Sequence, residues 1–147
     1  MELREITDVL DEYTGRRRAV LEYGFTVQRI VEGSKGPGFT AADWEPLAGF
    51  VDPVAFERVG PFKEVQNWPA YVEFLTAWAP AAEWEGRFKR VTDHDGLVFL
   101  ELEEWTRMGE LENVVNSLSV YEFDDTDRIV HLDVYLQLDL TGMLGGA

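Results

Sequence analysis

Val120-Tyr121-Glu122-Phe123-Asp124-Asp125-Thr126-Asp127-Arg128-Ile129-Val130-His131-Leu132-Asp133-Val134-Tyr135 reads as a strand, an acidic turn and a second strand. The second run, Arg128–Leu140, sets Val130, Leu132, Val134, Leu136 and Leu138 against His131, Asp133, Tyr135 and Gln137. Alternation with period two puts these sets on opposite faces, so the apolar one must meet a core. Working backwards, Val114–Phe123, Leu97–Met108 and Arg87–Val91 are further strands, parted by turns at Met108-Gly109-Glu110 and Asp93-His94-Asp95-Gly96. The final part of the chain is an antiparallel meander.

Before it the period is helical. Ile6, Val9, Leu10 and Tyr13 form one stripe, and Val20, Tyr23, Val27, Ile30 and Val31 form another beyond Gly15. The two are one bent helix or two, ending before the loop Gly33-Ser34-Lys35-Gly36-Pro37-Gly38. Thr40 and Asp43 make a capping-box variant ahead of Trp44, Leu47 and Ala48, and Asn67 caps a helix carrying Trp68, Tyr71, Val72, Leu75 and Trp78. Between them Phe50–Lys63 is irregular, because Pro53 and Pro61 exclude a central strand. Helices followed by hairpins predict an α+β fold, with N-terminal helices packed on a curved, mostly antiparallel sheet.

The chain has 147 residues, the size of one domain, with the tail 142–147 expected to fray. Its 13 Lys and Arg against 28 Asp and Glu leave a net charge of −15, which argues against nucleic acid and anionic membranes as partners. With no cysteine, disulfides, thiolate nucleophiles and Cys-held metals are excluded. No membrane-length apolar run or signal-peptide core is present, so a cytoplasmic location is expected.

The order of elements, Phe50-Val51-Asp52-Pro53 ahead of the Trp68 helix, and the last hairpin together resemble the nuclear transport factor 2-like superfamily. The likeness is to its SnoaL-like polyketide cyclase and ketosteroid isomerase-like branches. In the hairpin, Asp127-Arg128-Ile129 stands where that family usually has Gly-Lys-Ile. The resemblance implies a cone-shaped sheet around an apolar pocket, no cofactor, and a homodimer. It also implies roles. Asp52 falls where the isomerase-like branch keeps its proton-shuttling carboxylate, although Asp before Pro is equally a turn residue bonding its own backbone. Tyr23 lies near the position of an oxyanion-binding tyrosine, with Tyr13 a more distant alternative. Ser119 stands where that branch places a protonated acid, a departure that counts against steroid-type isomerisation.

Other candidates come from the strands themselves. Glu104 shares a face with Val98, Leu100 and Leu102, at the edge of an apolar cavity unless a bulge near Glu103-Glu104 turns it to water. Ser117 and Ser119 share a pocket-facing row with Tyr121 and Phe123. Leu132, Val134 and Leu136 form the apolar wall of the last strand. Trp44, Trp68, Trp78, Trp84 and Trp105 either line a cavity for a flat ligand or fill the core or the dimer face. His131 and Asp133 fall on the outer face with Tyr135 and Gln137, beside Phe99, Trp105 and Arg107, a surface suited to an isologous contact. With these residues, the resemblance leads to the expectation of a small-molecule pocket protein, a cofactor-independent isomerase, cyclase or dehydratase acting by acid–base chemistry on a hydrophobic carbonyl or polycyclic compound. The competing reading is a non-catalytic ligand-binding or dimerisation module of the same fold.

Overall fold

The computed structural model describes residues 2–139. Leu140, expected to end the last strand, and the tail 142–147 lie outside them. The chain opens with β1 (Arg4–Glu5) and α1 (Ile6–Val9), then one 3-10 turn and α2 (Gly15–Gly33). The N-terminal stripe therefore belongs to two helices. Tyr13 and Thr14 are extended, and Gly15 starts α2 at φ 67°, a left-handed conformation that glycine adopts without a Cβ penalty. The Thr40 N–H donates to Asp43 Oδ2 at 2.7 Å, as the capping pattern requires, just before α3 (Glu45–Ala48).

Next come β2 (Glu57–Val59), β3 (Val65–Asn67) and α4 (Trp68–Trp78). Asn67 Oδ1 accepts the Ala70 N–H at 3.0 Å and caps α4. The four long strands are β4 (Glu83–His94), β5 (Leu97–Met108), β6 (Leu111–Phe123) and β7 (Ile129–Gln137). Asp95 and Gly96 turn between β4 and β5 with φ of 51° and 78°, the twist that suits a two-residue hairpin.

The strands form one curved, open sheet in the order β1-β4-β5-β6-β7-β2-β3, with the helices against its inner face. All pairings are antiparallel except that of β2 with β7. The stretch expected to be irregular thus contributes a strand that lies between two others. Pro53 and Pro61 flank β2 without occupying it, so no ladder hydrogen bond is lost.

Register fixes what faces inward. Val98, Tyr121 and Leu132 stand in one row across β5, β6 and β7, and Leu100, Ser119 and Val134 in the next. Val98, Leu100 and Leu132 are buried, together with Val20 and Leu21 of α2. Fully burying an aliphatic side chain of this size is worth about 1.5–3 kcal/mol, so a one-residue slip of any strand would be costly. The ladder does shift at two places: in β4 between Phe88 and Arg90, where Lys89 is the extra residue, and between β6 and β7 at Glu122 and Phe123, where Val130 is the extra residue. Neither shift lies at Glu103-Glu104, and Glu104 therefore keeps the inner face.

Candidate functional site

Two adjoining cavities open between α2, α4 and the inner face of the sheet. The inner chamber, about 110 Å³, is lined by Tyr23, Ser119, Tyr121, Leu132 and Val134 among others. The outer one, about 250 Å³, is lined by Phe74, Leu75, Trp78 and Thr106. Val27, Arg58, Tyr71, Trp84 and Glu104 belong to both and form the partition.

Each partition residue has a structural reason to be there. Glu104 lies opposite Gly86 on β4 and Val115 on β6, and its Oε1 accepts the Trp84 indole N–H at 2.7 Å. Trp84 is crowded against Gly86, where a Cβ would come within 3.3 Å of its ring and 3.2 Å of Leu102. Glycine at this point lets the indole lie over the strand and hold the carboxylate. Arg58 pairs with Leu132 across the parallel β2–β7 ladder, and its side chain is only 13% exposed. Its guanidinium lies 4.8 Å from the centre of the Tyr71 ring, a cation–π contact. Arg58 Nη1 donates to Gln66 Oε1 at 3.1 Å, and Glu64 Oε1 is 3.8 Å away.

Three tyrosines complete the inner chamber. Tyr23 meets Tyr121 edge-on, with ring centroids 5.6 Å apart, and Tyr71 stacks on Phe56. Burial pushes the proton affinity of all three hydroxyls upward, and the Arg58 charge opposes that only in part. They remain neutral hydrogen-bond donors at any physiological pH. The Tyr23 hydroxyl and Arg58 Nε are buried without a hydrogen-bond partner. Tyr71 is a polar neighbour of the Tyr23 hydroxyl and helps to raise its proton affinity, but within ordinary hydrogen-bond limits that hydroxyl has no partner. Leaving a buried donor unpaired costs about 1–3 kcal/mol, so two on one cavity wall mark a place for an acceptor from outside the chain.

Tyr23, Glu104, Ser119, Leu132 and Val134 are thus brought to one chamber, and Trp78 to its antechamber. Other expected residues lie elsewhere. Asp52 lines neither chamber: its Oδ1 accepts the N–H groups of Val54 and Ala55 at 3.0 and 3.2 Å, the arrangement of an Asp that closes its own turn. Ser117 is buried on the inner face with an unpartnered hydroxyl, but does not reach the chambers, and Leu136 beside it is half-buried. Trp68 packs edge-on against Phe56 and lines a separate apolar groove outside α4. His131 and Asp133 pair with each other on the outer face at 2.9 Å, with Glu57 at 3.4 Å from the His131 ring. Arg16, Arg17 and Arg18 are spent on ion pairs, the shortest to Asp127 and Glu22 at 2.7 Å. Among the described residues no cluster of three or more His, Asp or Glu side chains could hold a metal ion.

Arg58 and Tyr71 are not among the expected site residues, whereas Trp84 is one of the five tryptophans expected to line a cavity or to fill the core or the dimer face. Tyr71 is visible in the sequence only as part of an apolar helical stripe. Arg58 left no trace, since a three-residue strand is too short to show a period.

No protein-family model matches this chain, and no curated protein matches it in sequence. Solved structures do. An LEH-like epoxide hydrolase of M. tuberculosis superposes with TM-score 0.59 at 17% identity, covering 83% of this chain and 92% of that one. A steroid delta-isomerase of Pseudomonas aeruginosa gives 0.57 at 19% identity, covering 91% and 88%. A nuclear transport factor 2-like protein of Cytophaga hutchinsonii gives 0.52 at 13%, covering 90% and 96%. At such identities the likeness is one of fold. The chain has the nuclear transport factor 2-like fold, with a cavity on the inner side of its sheet. Among the described residues no helix is long and apolar enough to cross a membrane.

Proposed function

We propose that this protein is a cofactor-independent acid–base catalyst, of the isomerase, cyclase or dehydratase kind, acting on a small hydrophobic carbonyl compound. Glu104 is the proton carrier. Its carboxylate takes a proton from the carbon next to the carbonyl, the C–H electron pair becomes the enolate, and the proton returns to another carbon. The developing negative charge on oxygen is met by the hydroxyls of Tyr23, Tyr71 and Tyr121, with Ser119 beside them. The observation that carries this reading is the meeting, in one chamber, of a carboxylate held by an indole N–H and a buried tyrosine hydroxyl without a partner. The fold supports it, since structures of similar shape include a steroid isomerase and an epoxide hydrolase. The same resemblance supports a homodimer, formed through the outer face of β5, β6 and β7.

Uptake of deuterium from heavy water into a panel of apolar ketones, followed by proton NMR, tests the reading. Wild-type protein is expected to catalyse exchange next to the carbonyl. Glu104→Gln should lower the rate by about 10²–10⁴-fold while leaving the thermal melt in place. Absence of exchange throughout the panel, with binding retained, would assign the pocket to the non-catalytic module.

A further inference from the structure

The two chambers differ in chemistry as well as size. The inner one, about 110 Å³, is well below the roughly 300–1,000 Å³ of an ordinary ligand pocket, so it takes a head group and not a whole ligand. Its wall carries one cation, Arg58, and one carboxylate, Glu104, and among the described residues the two form no ion pair with each other. The Arg58 ion pair is to Glu64 at 3.8 Å, with Glu64 41% exposed, its hydrogen bond is to the neutral amide of Gln66, and its Nε has no partner. The outer chamber offers Phe74, Leu75 and Trp78, the first of them 47% exposed. A cation at the partition, with an unpartnered tyrosine donor on its inner side and apolar rings on its outer side, describes a ligand that is charged at its head and hydrophobic along its body.

Arg58 and Glu104 both belong to the partition, and the unpartnered Tyr23 hydroxyl belongs to the inner chamber alone. An anionic head that enters the inner chamber therefore meets Arg58 and the Tyr23 hydroxyl together.

We propose that the ligand of this site is a hydrophobic oxo acid, whose carboxylate pairs with Arg58, whose carbonyl oxygen accepts from the tyrosine hydroxyls, and whose apolar body lies in the outer chamber against Phe74, Leu75 and Trp78. The carbonyl part rests on the acid–base reading above; the carboxylate part rests on Arg58 alone. Arginine suits the task because its planar fork binds a carboxylate through two parallel N–H groups.

Calorimetric titration of the wild-type protein at neutral pH with benzylpyruvate and with benzylacetone is the test. The two differ only in a carboxylate replacing a methyl group. Benzylpyruvate is expected to bind at least tenfold more tightly, with Arg58→Gln removing the difference and Arg58→Lys retaining part of it. Equal or tighter binding of benzylacetone, binding of neither at millimolar concentration, or a preference that survives in folded Arg58→Gln would overturn the proposal. The wild-type comparison decides even if the variants fail to fold. Deuterium exchange into benzylacetone that depends on Glu104, with no preference for benzylpyruvate, would leave the acid–base reading standing and remove this one. An Arg58-dependent preference without exchange into either probe would do the reverse.

Discussion

Tyr23, Tyr71 and Tyr121 are three of the five tyrosines, and their hydroxyls hold their protons above the ordinary value of 10.0 because ionisation would leave a charge in a dry chamber. A raised folded value means that the native state keeps these protons where the unfolded chain releases them. The stability they contribute is full below about pH 10 and is lost as the pH climbs beyond it. Thermal unfolding should accordingly worsen steeply from about pH 10 upward, and tyrosinate absorbance should jump at the unfolding transition. Tyr121→Phe should flatten that decline by about 1.4 kcal/mol per pH unit, and an unchanged slope would show that this hydroxyl ionises in place. Such residues were only partly legible beforehand. Tyr23, Glu104 and Ser119 could be assigned to the inner side because each sits in a long segment of clear period. The family resemblance of Phe50-Val51-Asp52-Pro53 points Asp52 to the pocket, whereas its carboxylate is occupied by the backbone of its own turn. Arg58 had no period to reveal it.

At the scale of elements, α4 and β4 decide the shape of the partition. Asn67 caps α4 by accepting the Ala70 N–H, and the helix carries Tyr71 to one chamber and Trp78 to the other. Asn67→Ala should cost about 0.5–2 kcal/mol in urea unfolding and loosen both aromatic walls together. A loss confined to stability, with ligand affinity untouched, would separate the cap from the chambers. At the far end of α4, the Lys35 ammonium donates to the carbonyls of Ala79 and Ala82 and ties the chain to α2. The succession of helices and long strands could be read from the change of period, and so could all three hairpin turns of the meander. The bulge at Lys89 could not, because one inserted residue leaves the apolar positions on either side of it in separately regular patterns. Nor could β2, whose membership of the sheet depends on β7 and on nothing within its own three residues.

The molecule as a whole carries a net charge of −15, and its helices cover only one side of the sheet. The outer face presents Tyr135, 57% exposed, and Val114, 48% exposed, beside the His131–Asp133 pair. Association of two copies through this face brings like charges together, so it should strengthen as salt screens them. Sedimentation at micromolar concentration is expected to give twice the 16.8 kDa chain mass, with the monomer share falling as ionic strength rises. A single-chain mass at every salt concentration would refute the dimer. The parallel ladder of β2 with β7 has a consequence in time. It joins residues 57–59 to 131–133, whereas the hairpins of β4 to β7 pair near neighbours. Closing so long a loop is entropically expensive and rewarded by only three residue pairs, so the ladder forms after the hairpins it leans on. Arg58 rides on that late strand, and a nascent chain therefore has its apolar meander in place before the cation of the chamber arrives.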